Sequence, residues 1–136
     1  MTTETKKTSG IIILTVPTIV YGGYFLLTLL SGQHGELGLT DFQKSMFRAG
    51  HAHAGVLVIL ALVAQLFVDQ TALSDTWKRV VRITMPLAAV LISGGFFASA
   101  TGQGQTQPTN LIAILYLGIV VFVTGLVTLG IGLVKK

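Results

Sequence analysis

Four long apolar runs, separated by short polar segments, constrain this chain more than anything else in it. They cover about 11–30, 49–68, 80–100 and 111–134. Each approaches the roughly 20 residues that a helix needs to cross a hydrocarbon core about 30 Å thick. With 51% hydrophobic and only 10% charged residues in 136, and a mean hydropathy of +0.77, the chain is too apolar for a soluble domain and too short for a second unit. The expectation is all-α: residues 1–136 form a single integral membrane domain, a four-transmembrane-helix bundle.

The first run follows Lys6-Lys7, as a signal peptide would. At 20 residues it exceeds the usual apolar stretch of about 7–15 in such a peptide, so it is read as the first span. Pro17 and Gly22-Gly23 interrupt it mildly, which neighbouring helices tolerate. Residues 31–40, with Gly32, Gly35 and Gly38, read as a loop. Thr40 and Gln43 then stand at capping-box spacing, which predicts a helix from Asp41 to about Val68. Such a helix is roughly 42 Å long and overshoots the hydrocarbon by about two turns. Its first turns, with Lys44 and Arg48, belong at the headgroups, and Gln65 is its one strongly polar side chain further in.

Asp69 to Arg79 read as a polar connection ending in the interfacial anchor Trp77-Lys78-Arg79, with Arg82 in snorkelling reach just inside the third span. The uncharged stretch from Thr101 to Asn110 reads as a tight polar hairpin. Gly118, Gly125 and Gly132 recur every seven residues in the last span, on one face, as a close-packing seam.

The net charge of +4 raises the question of nucleic acid, but the basic residues sit at span ends rather than in a stripe. Topology explains them. Lys6, Lys7, Lys78, Arg79, Arg82, Lys135 and Lys136 fall on one side, against Lys44 and Arg48 on the other, which places both termini in the cytoplasm and the start of the second helix outside. The absence of cysteine removes disulfides, thiolate ligation and covalent haem attachment. Any metal or cofactor is left to histidine, tyrosine, methionine or carboxylate.

The stretch with chemical potential is Phe47-Arg48-Ala49-Gly50-His51-Ala52-His53-Ala54-Gly55-Val56. An ionisable side chain at the mouth of a membrane span is a functional candidate, because burying it is costly. Each helical residue turns about 100°, so His51 and His53 diverge by about 200° and cannot hold one ion from an unbroken helix. Arg48 shares a face with His51, whereas His53 lies with Ala49, Gly50, Val56, Leu57 and Leu60 on an apolar face with room for something large and flat. By rise per residue, Tyr24, Phe96, Phe97 and Tyr116 fall within about 10 Å of the depth of His53. A neutral imidazole among aromatics, with Arg48 near the water interface, is the arrangement of a b-type haem site: nitrogen to iron, arginine to propionate. His51 is a further candidate propionate contact. Each residue also has a plainer reading: a carbonyl-bonded histidine, a snorkelling arginine, aromatic-belt tyrosines and packing phenylalanines.

Arg48 to Gly55, with Gly95-Phe96-Phe97 and the four-span layout, resembles the styrene oxide isomerase family. The most specific element is His53-Ala54-Gly55, matching that family's His-small-Gly triplet early in helix two. The resemblance implies a homotrimer binding haem b between subunits, with His53 as iron ligand and ferric iron opening a small apolar epoxide to a carbonyl compound as a Lewis acid. It also implies a bacterial cytoplasmic membrane protein. His51 stands where the family has an arginine. Ile59 replaces an asparagine, Phe97 replaces a tyrosine, and the connection between the third and fourth helices is shorter. Two other functions fit the composition: an outward-facing copper or metal handler using Met46, His51 and His53, and an accessory subunit of a larger membrane complex.

Overall fold

The computed structural model describes residues 1–32 and 38–135. Gly35 of the expected loop and Lys136 of the charge count lie outside the described residues. The elements are α1 (Thr3–Leu30), α2 (Asp41–Val68), α3 (Asp75–Ser99) and α4 (Ile112–Val134). All four are long and apolar enough to cross a membrane. They run up and down, so both termini and the α2–α3 connection share one end. The other two connections share the opposite end, where Thr40 Oγ1 donates to the Gln105 carbonyl.

Helix α2 starts as the capping box requires. Thr40 Oγ1 accepts from the Gln43 backbone N–H, and Gln43 Oε1 accepts from the Thr40 N–H. The same Gln43 donates Nε2 to the carbonyls of Ala100 and Gly102 at 2.9 and 2.8 Å, tying the head of α2 to the end of α3. Helix α1 begins eight residues before its apolar run, because Thr2 caps it through the Thr5 N–H. Residues 75–79, expected in a connection, form the first turn of α3 instead. Ser74 and Asp75 start that helix before the membrane does, and the Lys78 N–H bonds the Ser74 carbonyl.

Helices α3 and α4 pack most intimately, along the glycine seam. A Cβ on Gly118 would sit 2.8 Å from Ile92, one on Gly125 2.6 Å from Thr84 Oγ1, and one on Gly132 2.5 Å from Leu73. The partner of the seam is therefore this same chain. Gly95 completes it from the other side, since its added Cβ would meet the Leu115 backbone nitrogen at 2.5 Å. A core of Ala61, Ala64, Val68, Val81, Met85 and Leu129 fills the bundle near the terminal end. Helix α1 packs on α2 and scarcely touches α3.

Two polar details hold the interior. Pro86 has no N–H to give the carbonyl four residues back, and that Arg82 carbonyl accepts from fully buried Gln65 Nε2 at 3.4 Å. Gln65 is thus the interhelical hydrogen-bonding residue its depth suggests. Arg82 does not snorkel. Its side chain is 7% exposed and bonds Asp69 at 2.6 Å, Glu4 at 3.0 Å and Thr5 Oγ1 at 3.1 Å. The network folds the head of α1 over the start of α3 and gives the long guanidinium partners inside the protein, so it has no need to reach for the headgroups.

Candidate functional site

The N-terminal half of α2 positions His51 and His53. His53 lies twelve residues into α2, about 18 Å from its start and, by the same reckoning, about 6 Å inside the hydrocarbon. Its Nδ1 lies 2.7 Å from the Ala49 carbonyl, one turn back. A carbonyl oxygen can only accept, so Nδ1 is the donor, and in the neutral ring Nε2 bears the lone pair. That Nε2 makes no hydrogen bond to the described residues. The imidazole is exposed on the surface of the single chain, with one flank against Phe96 of α3, ring centroids 4.8 Å apart and planes tilted by 32°.

His51 points elsewhere. Its ring lodges against α1 at Gly22-Gly23, where a Cβ on Gly23 would approach Nε2 to 2.9 Å. Gly23 gives the imidazole that space, whereas a Cβ on Gly22 would stay 4.0 Å from the ring. The two histidines therefore face different helices, as their 200° separation predicts, and they do not converge on one ion. Among the described residues no three histidine or carboxylate side chains gather into a metal-holding group.

Gly50 sets the spacing between the two sides. An added Cβ there would meet Phe97 at 2.9 Å and Phe96 at 3.1 Å, so α3 lies close against the bare backbone of α2. The two phenylalanines then part: Phe96 turns to His53, while Phe97 stacks on Phe47 with centroids 5.8 Å apart. On that second side, Phe47, Phe97, Gly22, Phe25, Leu26 and Leu29 line an apolar cavity of about 270 Å³.

Of the other candidates, Arg48 is exposed and lies about 140° around α2 from His53 at 100° per residue. Tyr24 and Tyr116 are 65% and 60% exposed on α1 and α4. The structure therefore brings Phe96 to His53, places Phe97 on the far side of Gly50, and turns both tyrosines outward from the single chain. Met46 is half-buried near the head of α2, and Ile59 is exposed one and a half turns beyond His53.

The donor set fits haem better than a bare ion. One imidazole is too little to hold an isolated cation, whereas a haem brings four nitrogens of its own and asks the protein for an axial donor and apolar walls. A metal-ligating histidine ordinarily donates its other ring N–H to a carbonyl or carboxylate, which fixes the tautomer and ring orientation. His53 has that bond already. No family model matches the chain, and no characterised protein or solved structure matches it.

At the terminal end, the polar network missed by sequence reasoning has its own electrostatics. Burial pushes the Asp69 carboxyl up, but the Thr2 amide, the Arg82 guanidinium and the Thr5 and Thr2 hydroxyls together outweigh it. They leave the group at about 2 against an ordinary 3.8. Asp69 is a fixed negative charge facing a fixed positive one, suited to holding helices together.

Proposed function

We propose that this chain is a haem-b-binding integral membrane protein in which His53 Nε2 would hold the iron. The observation that carries the reading is the His53 Nδ1–H bond to the Ala49 carbonyl, which aims an unpartnered nitrogen lone pair outward from the bundle. Phe96 supplies one apolar wall. Because the imidazole opens on the surface of the single chain, the other wall belongs to a second copy, which agrees with the homotrimer that the resemblance implies. Tyr24 and Tyr116, apolar-faced and outward, are available to such an interface. Arg48, exposed toward the water side, is the side chain for a propionate, whereas His51, its ring lodged against α1 at Gly23, faces away from a haem on His53.

When bound, ferric haem would supply a Lewis acid suited to isomerising a small apolar epoxide to a carbonyl compound. This chain's own contribution is a dry apolar pocket entered from lipid. With Ile59 and Phe97 at the positions where the family carries polar groups, substrate orientation rests on shape alone. The reading includes both termini in the cytoplasm of a bacterial cell, with His53 near the outer face of the membrane.

The visible spectrum of the protein purified after expression with ample haem supply tests the proposal. Wild type and His51→Ala are expected to show a Soret band, and His53→Ala is expected to lose it while keeping its helicity. A wild-type protein without the band, or a His53→Ala protein with an unchanged one, overturns it.

A further inference from the structure

A second opening lies at mid-membrane depth, independent of the haem reading. Because α1 and α3 scarcely meet, they leave a groove floored by α2, with Ile12 and Thr15 on one side, Ala54 and Val58 beneath, and Ala89 and Ser93 on the other. Its volume is about 350 Å³, and its lining is almost wholly apolar. Ser93 is the exception. The residue is 7% exposed, yet its hydroxyl has no hydrogen-bond partner. Four other helical hydroxyls turn back to their own helix: Thr15 donates to the Ile12 carbonyl, Thr18 to Thr15, Thr84 to Val80 and Ser99 to Phe96. Ser93 alone among these keeps its donor free, beside a space of molecular size.

We infer that this groove binds a small apolar molecule carrying one hydrogen-bond-accepting oxygen, a ketone or ether dissolved in the bilayer, held through the Ser93 hydroxyl. Other occupants fit less well. A water needs two to four polar partners, and a lining this apolar suits it poorly. A lipid acyl chain fills the volume but leaves the hydroxyl unpaired in hydrocarbon, which costs free energy that an accepting oxygen recovers. Thr15 and Thr18 do not compete for the ligand, because their hydroxyls are already spent on carbonyls.

Benzophenone, two apolar rings and one carbonyl, is a photoreactive probe of this chemistry, and diphenylmethane is its counterpart without the oxygen. Full-length protein in detergent is illuminated over a range of benzophenone concentrations, and adducts are mapped by mass spectrometry. Adducts should concentrate on the α1 and α3 segments bordering the groove. Ser93→Ala should raise the half-saturating concentration roughly fivefold to tenfold, the worth of one neutral hydrogen bond. Diphenylmethane should compete equally well against wild type and Ser93→Ala, and Ala54→Leu, which fills the floor, should suppress labelling with helicity intact. Adducts spread evenly over all lipid-facing segments, or half-saturation unchanged by Ser93→Ala, would show an acyl-chain groove only and overturn the inference.

Discussion

Replacing Asp69 by alanine removes the shortest of the bonds to a guanidinium that is 7% exposed. Breaking one side of a buried ion pair costs about 3–5 kcal/mol, because the remaining charge is stranded. Here Arg82 keeps Glu4 and Thr5, but the Glu4 side chain is 71% exposed and its pairing is screened by water. The expected cost is therefore about 2–3 kcal/mol, below the full range. Glu4→Ala should cost about 0–1 kcal/mol, as a water-screened pair does. The pH dependence has a definite sign. The folded-state carboxyl titrates at about 2 and the free one at 3.8, so the stabilisation is complete above about pH 5 and lost as pH falls towards 2. That shift caps the linked stabilisation at about 2.5 kcal/mol, and screening at this water-facing end brings it to about 1–2. Unfolding in mixed dodecylmaltoside and SDS micelles, followed by far-UV circular dichroism, measures both. Asp69→Ala should unfold at a lower SDS fraction and show a flatter acid limb than wild type. A cost under about 0.5 kcal/mol, the size of an ordinary surface change, would refute the picture of Arg82 as a buried staple.

Neighbouring glycines give a sharper packing test. Gly95→Ala must push against the Leu115 backbone and should cost about 2–3 kcal/mol, whereas Gly94→Ala, with nothing within 4 Å of its added Cβ, should be neutral or slightly stabilising in the same assay. Gln65→Leu strands the Arg82 carbonyl that Pro86 leaves free, with an expected loss of about 1–3 kcal/mol; the double variant Gln65→Leu, Pro86→Ala should recover most of it. Gly23→Ala displaces the His51 ring, and the resulting destabilisation should largely vanish in a His51→Ala background. Because the chain has no cysteine, single cysteines at Lys7 and Ser45 report sidedness directly. An impermeant maleimide on intact cells should label Ser45→Cys and spare Lys7→Cys; the reverse pattern would invert the proposed topology.

The apolar runs and local end signals made much of the bundle legible in the sequence. Thr40 and Gln43 predict the first residue of α2, and the seven-residue glycine spacing predicts a seam, because both are local patterns with one physical meaning. What escaped was long-range pairing. Nothing near Arg82 in the chain announces Glu4, 78 residues away, as a partner, so a snorkelling side chain was the natural expectation. A signal was available: three of only five acidic residues, Glu4, Asp69 and Asp75, fall at the membrane end where Arg82 enters. Pro86 and Gln65 were each visible, but their complementarity needs the register of α2 against α3. At the candidate site, the divergence of His51 and His53 followed from helical geometry alone. Rise per residue gave the height of Tyr24 and Tyr116 but not their direction, and both proved to face outward. The resemblance singles out Phe97 for the cofactor pocket, but the close approach at Gly50 turns Phe97 to Phe47 and leaves Phe96 beside His53.

The proposed function stands or falls with iron binding at the free nitrogen of His53. Its most direct test is the His53→Gly protein, which removes the imidazole and leaves a hole that free imidazole can enter. The Soret band is expected to be absent in this variant and to return when imidazole is added, while His51→Gly keeps the band throughout. A Soret band that survives in His53→Gly without imidazole, at wild-type intensity and position, would contradict it.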